Sequence, residues 1–141
     1  MARIEVATKN PSFDAEGRGI LDAIGDLGIK TVEDVRVVRI YILGGEFDRG
    51  TLERIAGVLA DPVVDVFAVD GPVLDEDGAV VVQVAKKPGV MDPVALTVRK
   101  ALAEMGVRVQ ATRTAKKFIL RGSPTEEEVK LLIRRVLANE T

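Results

Sequence analysis

Short runs of alternating apolar and polar residues, separated by amphipathic stretches, recur along the chain at a fixed distance. A shift of 78 residues places Val6 on Val84, Lys9 on Lys87, Asp14 on Asp92, Ala23 on Ala101, Gly28 on Gly106, Gly44 on Gly122 and Leu59 on Leu137, with no gap. Conservative pairs fill the same frame, among them Ile4 with Val82, Ile24 with Leu102, Leu27 with Met105, Ile42 with Leu120, Ile55 with Ile133 and Val58 with Val136. The chain therefore reads as one module of strands and helices written twice: repeat one over 1–70, a linker over 71–78 and repeat two over 79–141.

Each copy opens on an alternating segment, Ile4 and Val6 or Val80, Val82 and Val84, which predicts a strand with one buried face. Asp14 and Asp92 then stand where an N-cap carboxylate accepts from the free amides of a first helical turn, and Pro93 fits the first helical position. The predicted helices bury Ile20, Ile24 and Leu27 in one copy and Val98, Leu102 and Met105 in the other. Gly28 and Gly106 supply their left-handed C-terminal caps. A long strand follows, about Val35 to Leu43 in copy one and Val107 to Leu120 in copy two, the latter expected to bend or bulge around its Thr and Lys residues. The second helix of copy two starts at a capping box, Ser123-Pro124-Thr125-Glu126, with Ser123 as cap. Its apolar stripe is Val129, Leu132, Ile133, Val136 and Leu137, and copy one matches it with Leu52, Ile55, Val58 and Leu59. Val63 to Val69 predicts a third strand in copy one. Copy two stops at Asn139-Glu140-Thr141, where copy one proceeds into that strand, so it is expected to lack this element, and two alternatives stay open, a piece of a longer fused protein or a free small subunit.

Helices on one side of a sheet make an open-faced α+β sandwich, yet the first long strand carries Val35, Val37, Tyr41 and Leu43 on the face opposite Val38, Ile40 and Ile42. Two apolar faces predict that the sheet packs against the other repeat or a partner subunit. Val35, Arg36, Val37, Arg39, Tyr41, Lys117 and Ile119 are the interface candidates, the arginines pairing with acids across it.

A net charge of −2, with Lys and Arg scattered among Asp and Glu, leaves no basic stripe for nucleic acid. No apolar run approaches the length of a membrane span and no signal peptide is recognisable, which points to the cytoplasm. The chain has no Cys and no His, so disulfides, thiol nucleophiles, Cys/His zinc sites and the commonest general base are all excluded. Gly17-Arg18-Gly19 fails as a dinucleotide fingerprint because Asp22 occupies the third glycine position. Gly28-Ile29-Lys30-Thr31 fails as a P-loop because it ends a helix where a P-loop opens one. Asp14 and Asp92 read as caps in preference to paired catalytic carboxylates. Lys86-Lys87 and Lys116-Lys117 read as solvated strand ends in preference to an anion site. No catalytic residue and no metal site is assigned.

Lys87-Pro88-Gly89-Val90-Met91-Asp92-Pro93 ahead of a helix, Val32-Glu33-Asp34-Val35-Arg36 leading into the long strand, and Leu59-Ala60-Asp61-Pro62-Val63-Val64-Asp65 together resemble the PurS family. This is the small subunit of phosphoribosylformylglycinamidine (FGAM) synthase in purine biosynthesis. The resemblance covers nearly the whole chain, as two units where the family ordinarily has one. The family's Asp-Pro-x-Gly appears as Asp14-Ala15-Glu16-Gly17 and as Asp92-Pro93-Val94-Ala95, and Val35-Arg36 is aligned with Arg113-Thr114. It implies two open-faced β-α-β-α-β units with antiparallel sheets, packed on each other or on a partner. It also implies a non-catalytic bridge between an FGAM synthetase (PurL-like) and a glutaminase (PurQ-like), as subunits or fused domains, aiding ammonia transfer, with possible homo-oligomers. The chain itself would bind no cofactor, ATP and Mg being used by the synthetase. Two other readings stand beside it: a small-molecule sensor with its ligand at the seam between repeats, and an enzyme in its own right.

Overall fold

A computed structural model describes residues 1–86 and 91–138. The chain runs β1 (Ala2–Thr8), a 3-10 turn (Pro11–Phe13), α1 (Ala15–Asp26), β2 (Val32–Gly44), α2 (Arg49–Leu59), β3 (Asp65–Val69), β4 (Val80–Ala85), α3 (Pro93–Glu104), β5 (Ala111–Gly122) and α4 (Glu126–Leu132), which widens into a π-helical turn over Ile133–Leu137. The α+β class with helices on one sheet face is as expected. The repeats, however, do not stack sheet on sheet. Their strands join edge to edge in one antiparallel sheet, β3-β1-β2-β5-β4, with β2 and β5 paired along nearly their whole lengths. Joining the two longest strands removes two open edges and gives the helices of both repeats one shared face to cover.

Local chemistry sets the helix positions. Asp14 accepts from the Gly17 amide at 2.8 Å through Oδ1 and from the Val37 amide at 2.9 Å through Oδ2, so one carboxylate caps α1 and ties it to β2. Asp92 does the same for α3, accepting from the Ala95 and Thr114 amides, both at 3.0 Å. A Cβ on Gly17 would lie 2.4 Å from the Val35 carbonyl oxygen, which is why α1 approaches β2 through a glycine. Ser123 is not the cap of α4. That role falls to Thr125, whose hydroxyl accepts from Glu128 while Glu128 reaches back to the Thr125 amide, because the Ser123 amide is already committed to the Thr31 carbonyl at 2.8 Å.

The repeat frame also needs correction. The 78-residue spacing holds from Ile4/Val82 through Gly28/Gly106, where φ is +82 and +81. Carried into the long strands it would set the helix-facing Val35, Val37 and Tyr41 on Arg113, Ala115 and Ile119, which lie on the other face. The fold matches Val37 to Thr114, Tyr41 to Phe118, Leu43 to Leu120, Gly45 to Gly122 (φ +133 and +124), the cap Asp48 to Thr125 and Ile55 to Leu132, a spacing of 77. Copy two is thus one residue shorter between Gly106 and β5, and Arg36 has its backbone counterpart in Arg113, not in Thr114. In this frame the cross-strand pair Arg39–Lys116 maps onto itself, so a pseudo-two-fold axis passes through it.

The helices form two pairs on one face of the sheet, each pair drawn from both copies. Leu52, Ile55 and Ala56 of α2 pack with Val98 and Leu102 of α3 over Ile4, Val6, Tyr41 and Leu43. Ile20 and Ile24 of α1 pack with Leu132 and the π-turn residues Val136 and Leu137 over Val35, Val37, Phe118 and Leu120. Val58 and Leu27, expected in these stripes, are exposed, the first at 52%. Expected strand limits shift as well: β5 begins at Ala111, and a register irregularity sits in β2 between Val32 and Asp34 instead of in β5.

The opposite face, with Ala7, Val38, Ile40, Ala115 and Ile119, is covered by the linker, whose Val73 and Leu74 pack on it together with Ala79. Polar contacts strap it down. The buried Lys117 ammonium donates to Glu5 at 2.7 Å and to Glu76 of the linker, Val73 donates its amide to Glu5 at 3.2 Å, and Arg121 holds the Asp75 carbonyl at 2.7 Å. Burial alone would raise the Glu5 carboxyl, but the hydrogen bonds from Lys117, Arg3 and Val73 outweigh it and hold the group below its ordinary value.

Two outcomes are expected. A carboxyl lowered by folding contributes stability that is present above its unfolded value of about 4.3 and is lost as pH falls through the folded one. Glu5→Gln therefore costs about 3 kcal/mol at neutral pH, by leaving Lys117 with Glu76 alone, and flattens the acid limb of a denaturation-midpoint profile. Thr112, whose Oγ1 is buried without a partner among the described residues, stands where copy one has the buried Val35, so Thr112→Val raises stability by about 1 kcal/mol in urea unfolding.

Candidate functional site

The helix pairs leave a cleft of about 570 Å³ at the seam between repeats, beside the pseudo-two-fold axis. Its floor is Tyr41 and Phe118, counterparts in the two copies, and its apolar walls come from Ile20 of α1, Val84 of β4 and Val136 and Leu137 of the π-turn. The start of α3, from Asp92 to Val94, closes one side. Both repeats contribute, so neither forms the cleft alone.

Three cations line it: Arg39, Lys86 and Lys116. Arg39 and Lys116 sit directly opposite on neighbouring strands, an arrangement that like charges disfavour. Each is offset by an acid from an outer element: Arg39 donates to Asp65 at 2.8 Å and Lys116 to Glu16 at 2.7 Å. Asp92 is held below its ordinary value. Burial pushes it up, but the Thr114 hydroxyl at 2.6 Å, the amides of Ala95 and Thr114 and the Lys86 charge prevail. Tyr41 is only 6% exposed, and its hydroxyl has no hydrogen-bond partner among the described residues. An apolar floor, a free hydroxyl and cations at the rim suit a small amphipathic anion. Among the described residues no group of three or more acids is arranged to hold a metal, and no helix is long and apolar enough to cross a membrane.

The seven interface candidates scatter. Val35, Val37 and Tyr41 lie beneath the helices of both copies, which makes them contacts between repeats within one chain. Arg36 donates to Asp14 at 3.1 Å and to the Thr8 carbonyl at 2.6 Å. Lys117 and Ile119 lie under the linker, so Lys117 is not the solvated strand end its sequence suggests. Arg39 and Tyr41 alone of the seven reach the cleft. The sequence reading missed Thr114 and Phe118 as lining residues and set Lys86 and Lys116 aside. The β2–β5 pairing that unites them becomes visible only once the two long strands are put side by side. The motif residues Lys87, Pro88, Gly89 and Val90 fall outside the described residues.

No curated protein matches the chain. Among family models, residues 1–71 and 79–141 match PurS, described as phosphoribosylformylglycinamidine (FGAM) synthase. The match spans the strands and helices of both copies and passes over only the linker, and the chain accordingly belongs to the PurS family, a component of FGAM synthase in purine biosynthesis.

Proposed function

We propose that the chain is a non-catalytic part of FGAM synthase that joins the ATP-using synthetase to the glutaminase and helps ammonia pass between them. The observation that carries this reading is the pseudo-two-fold joint through Arg39 and Lys116, which unites two family units in one sheet within one polypeptide. What the duplication keeps are caps, turn glycines and helix stripes, the parts of a scaffold. A chain without His or Cys lacks the commonest general base and the thiol nucleophile of acyl transfer, and the surface is left for contact. Addition of the chain to the matching synthetase and glutaminase is expected to raise glutamine-dependent FGAM formation severalfold while leaving ammonia-dependent formation nearly unchanged. An equal effect on both, or no effect and no co-elution, rejects the reading.

The seam cleft favours a second reading, a sensor for a small amphipathic anion. Such a ligand binds the native state only and raises the melting temperature, by about 2.7 kcal/mol of stabilisation at a hundredfold excess over Kd. A metabolite that does so should lose most of its effect on Tyr41→Phe and Lys86→Ala. A panel of nucleotides and sugar phosphates that leaves the wild-type midpoint unmoved removes this reading.

A further inference from the structure

The two outer strands of the sheet have different surroundings. β4 is the counterpart of β1, with Val82 standing for Ile4 and Val84 for Val6. β1 carries β3 on its outer edge, whereas among the described residues β4 pairs with β5 alone. Ile4 and Val6 are fully buried, but Val82 and Val84 are only half-buried, as are Ile133 and Val136 of the adjoining helical turn. Open edges are normally blunted by charges, proline or a bulge. Val80–Ala85 carries no charge, no proline and no irregularity in its pairing with β5.

β3 shows what fits such an edge. Its Val69 and Phe67 pair with Ile4 and Val6, and its Asp65 pairs with Thr8 and accepts from Arg39. In copy two the counterparts of Thr8 and Arg39 are Lys86 and Lys116. A strand laid on β4 in the manner of β3 would set apolar residues against Val82 and Val84 and an acid between two lysines, of which Lys86 forms no ion pair among the described residues.

We propose that the outer edge of β4 is a docking site for an extended segment of another polypeptide, of the pattern acid-x-apolar-x-apolar, which adds antiparallel to β4 as β3 adds to β1. The Asp70 amide bonds the Arg3 carbonyl and the Lys9 amide the Val64 carbonyl, so odd-numbered residues of β1 face β3. By counterpart, Val81, Gln83 and Ala85 present their amides outward. The proposal does not depend on the role in FGAM synthase, since it rests on the edge itself.

The test uses a fluorescent synthetic peptide of residues 61–70 and the full chain, read by anisotropy. Saturable one-to-one binding is expected. N-methylation of the peptide at Ala68, whose amide would face β4, should weaken it about tenfold, whereas N-methylation at Phe67 should not. Asp65→Asn in the peptide and Lys86→Ala in the protein should each weaken binding and weaken it no further together. Gln83→Pro removes one outward amide and should abolish binding with the thermal midpoint little changed; if that variant does not fold, the N-methyl pair decides alone. Absence of binding, equal loss from both N-methyl peptides, or self-association through β4 that leaves the edge occupied by a second copy overturns the proposal.

Discussion

The pairing of β2 with β5 is the constraint on which the rest of the molecule depends. It runs from Val32–Gly122 to Gly44–Ala111, joins the two copies, and places Arg39 beside Lys116 at the centre of near symmetry. Because the ladder is antiparallel, each copy's first helix lies beside the other copy's second helix, and the hydrophobic cores form between copies. Two like charges at the centre cost stability, and Asp65 and Glu16, reaching in from outer elements, offset it.

The same ladder explains why the linker is ordered by more than its ends. Two apolar strand faces are created side by side, and the helices cover one only. The other would be a hydrophobic surface large enough to drive association, and the segment from Val73 to Ala79 lies across it. Glu5 and Lys117 sit beneath that strap with almost no access to water, each satisfied by several partners, as buried charges must be.

Features set by short-range chemistry were legible in the sequence. Asp14 and Asp92 cap helices because a carboxylate finds amides three residues ahead, and Gly28 and Gly106 end them because the left-handed turn needs no Cβ. The start of α4 was ambiguous, since both Ser123 and Thr125 are followed by a glutamate three residues on, and only the contact of Ser123 with Thr31 separates them. The one-residue slip in the repeat was hidden for a different reason. Phe118, Ile119 and Leu120 are all buried, two on one face and one on the other, so the pattern there does not say which residues face the helices. Lys117 and Glu5 misled because charges alternating with apolar residues ordinarily mark a wet face. The cleft was illegible as a unit because its residues come from six separate elements and one connection and meet only through the joint.

The long joint also governs how the chain reaches its fold. Repeat one emerges from the ribosome first, with β2 unpaired on one side and its helices lacking the partners that come from repeat two. Loop closure between β2 and β5 then waits for nearly the whole chain, an ordering that places this protein among slow, non-local folders. In that interval the unpaired strand of one nascent chain is a ready match for the β5 of a neighbour. The linker, by tethering the correct partner within a few tens of ångströms at high effective concentration, favours closure within one chain over exchange between chains.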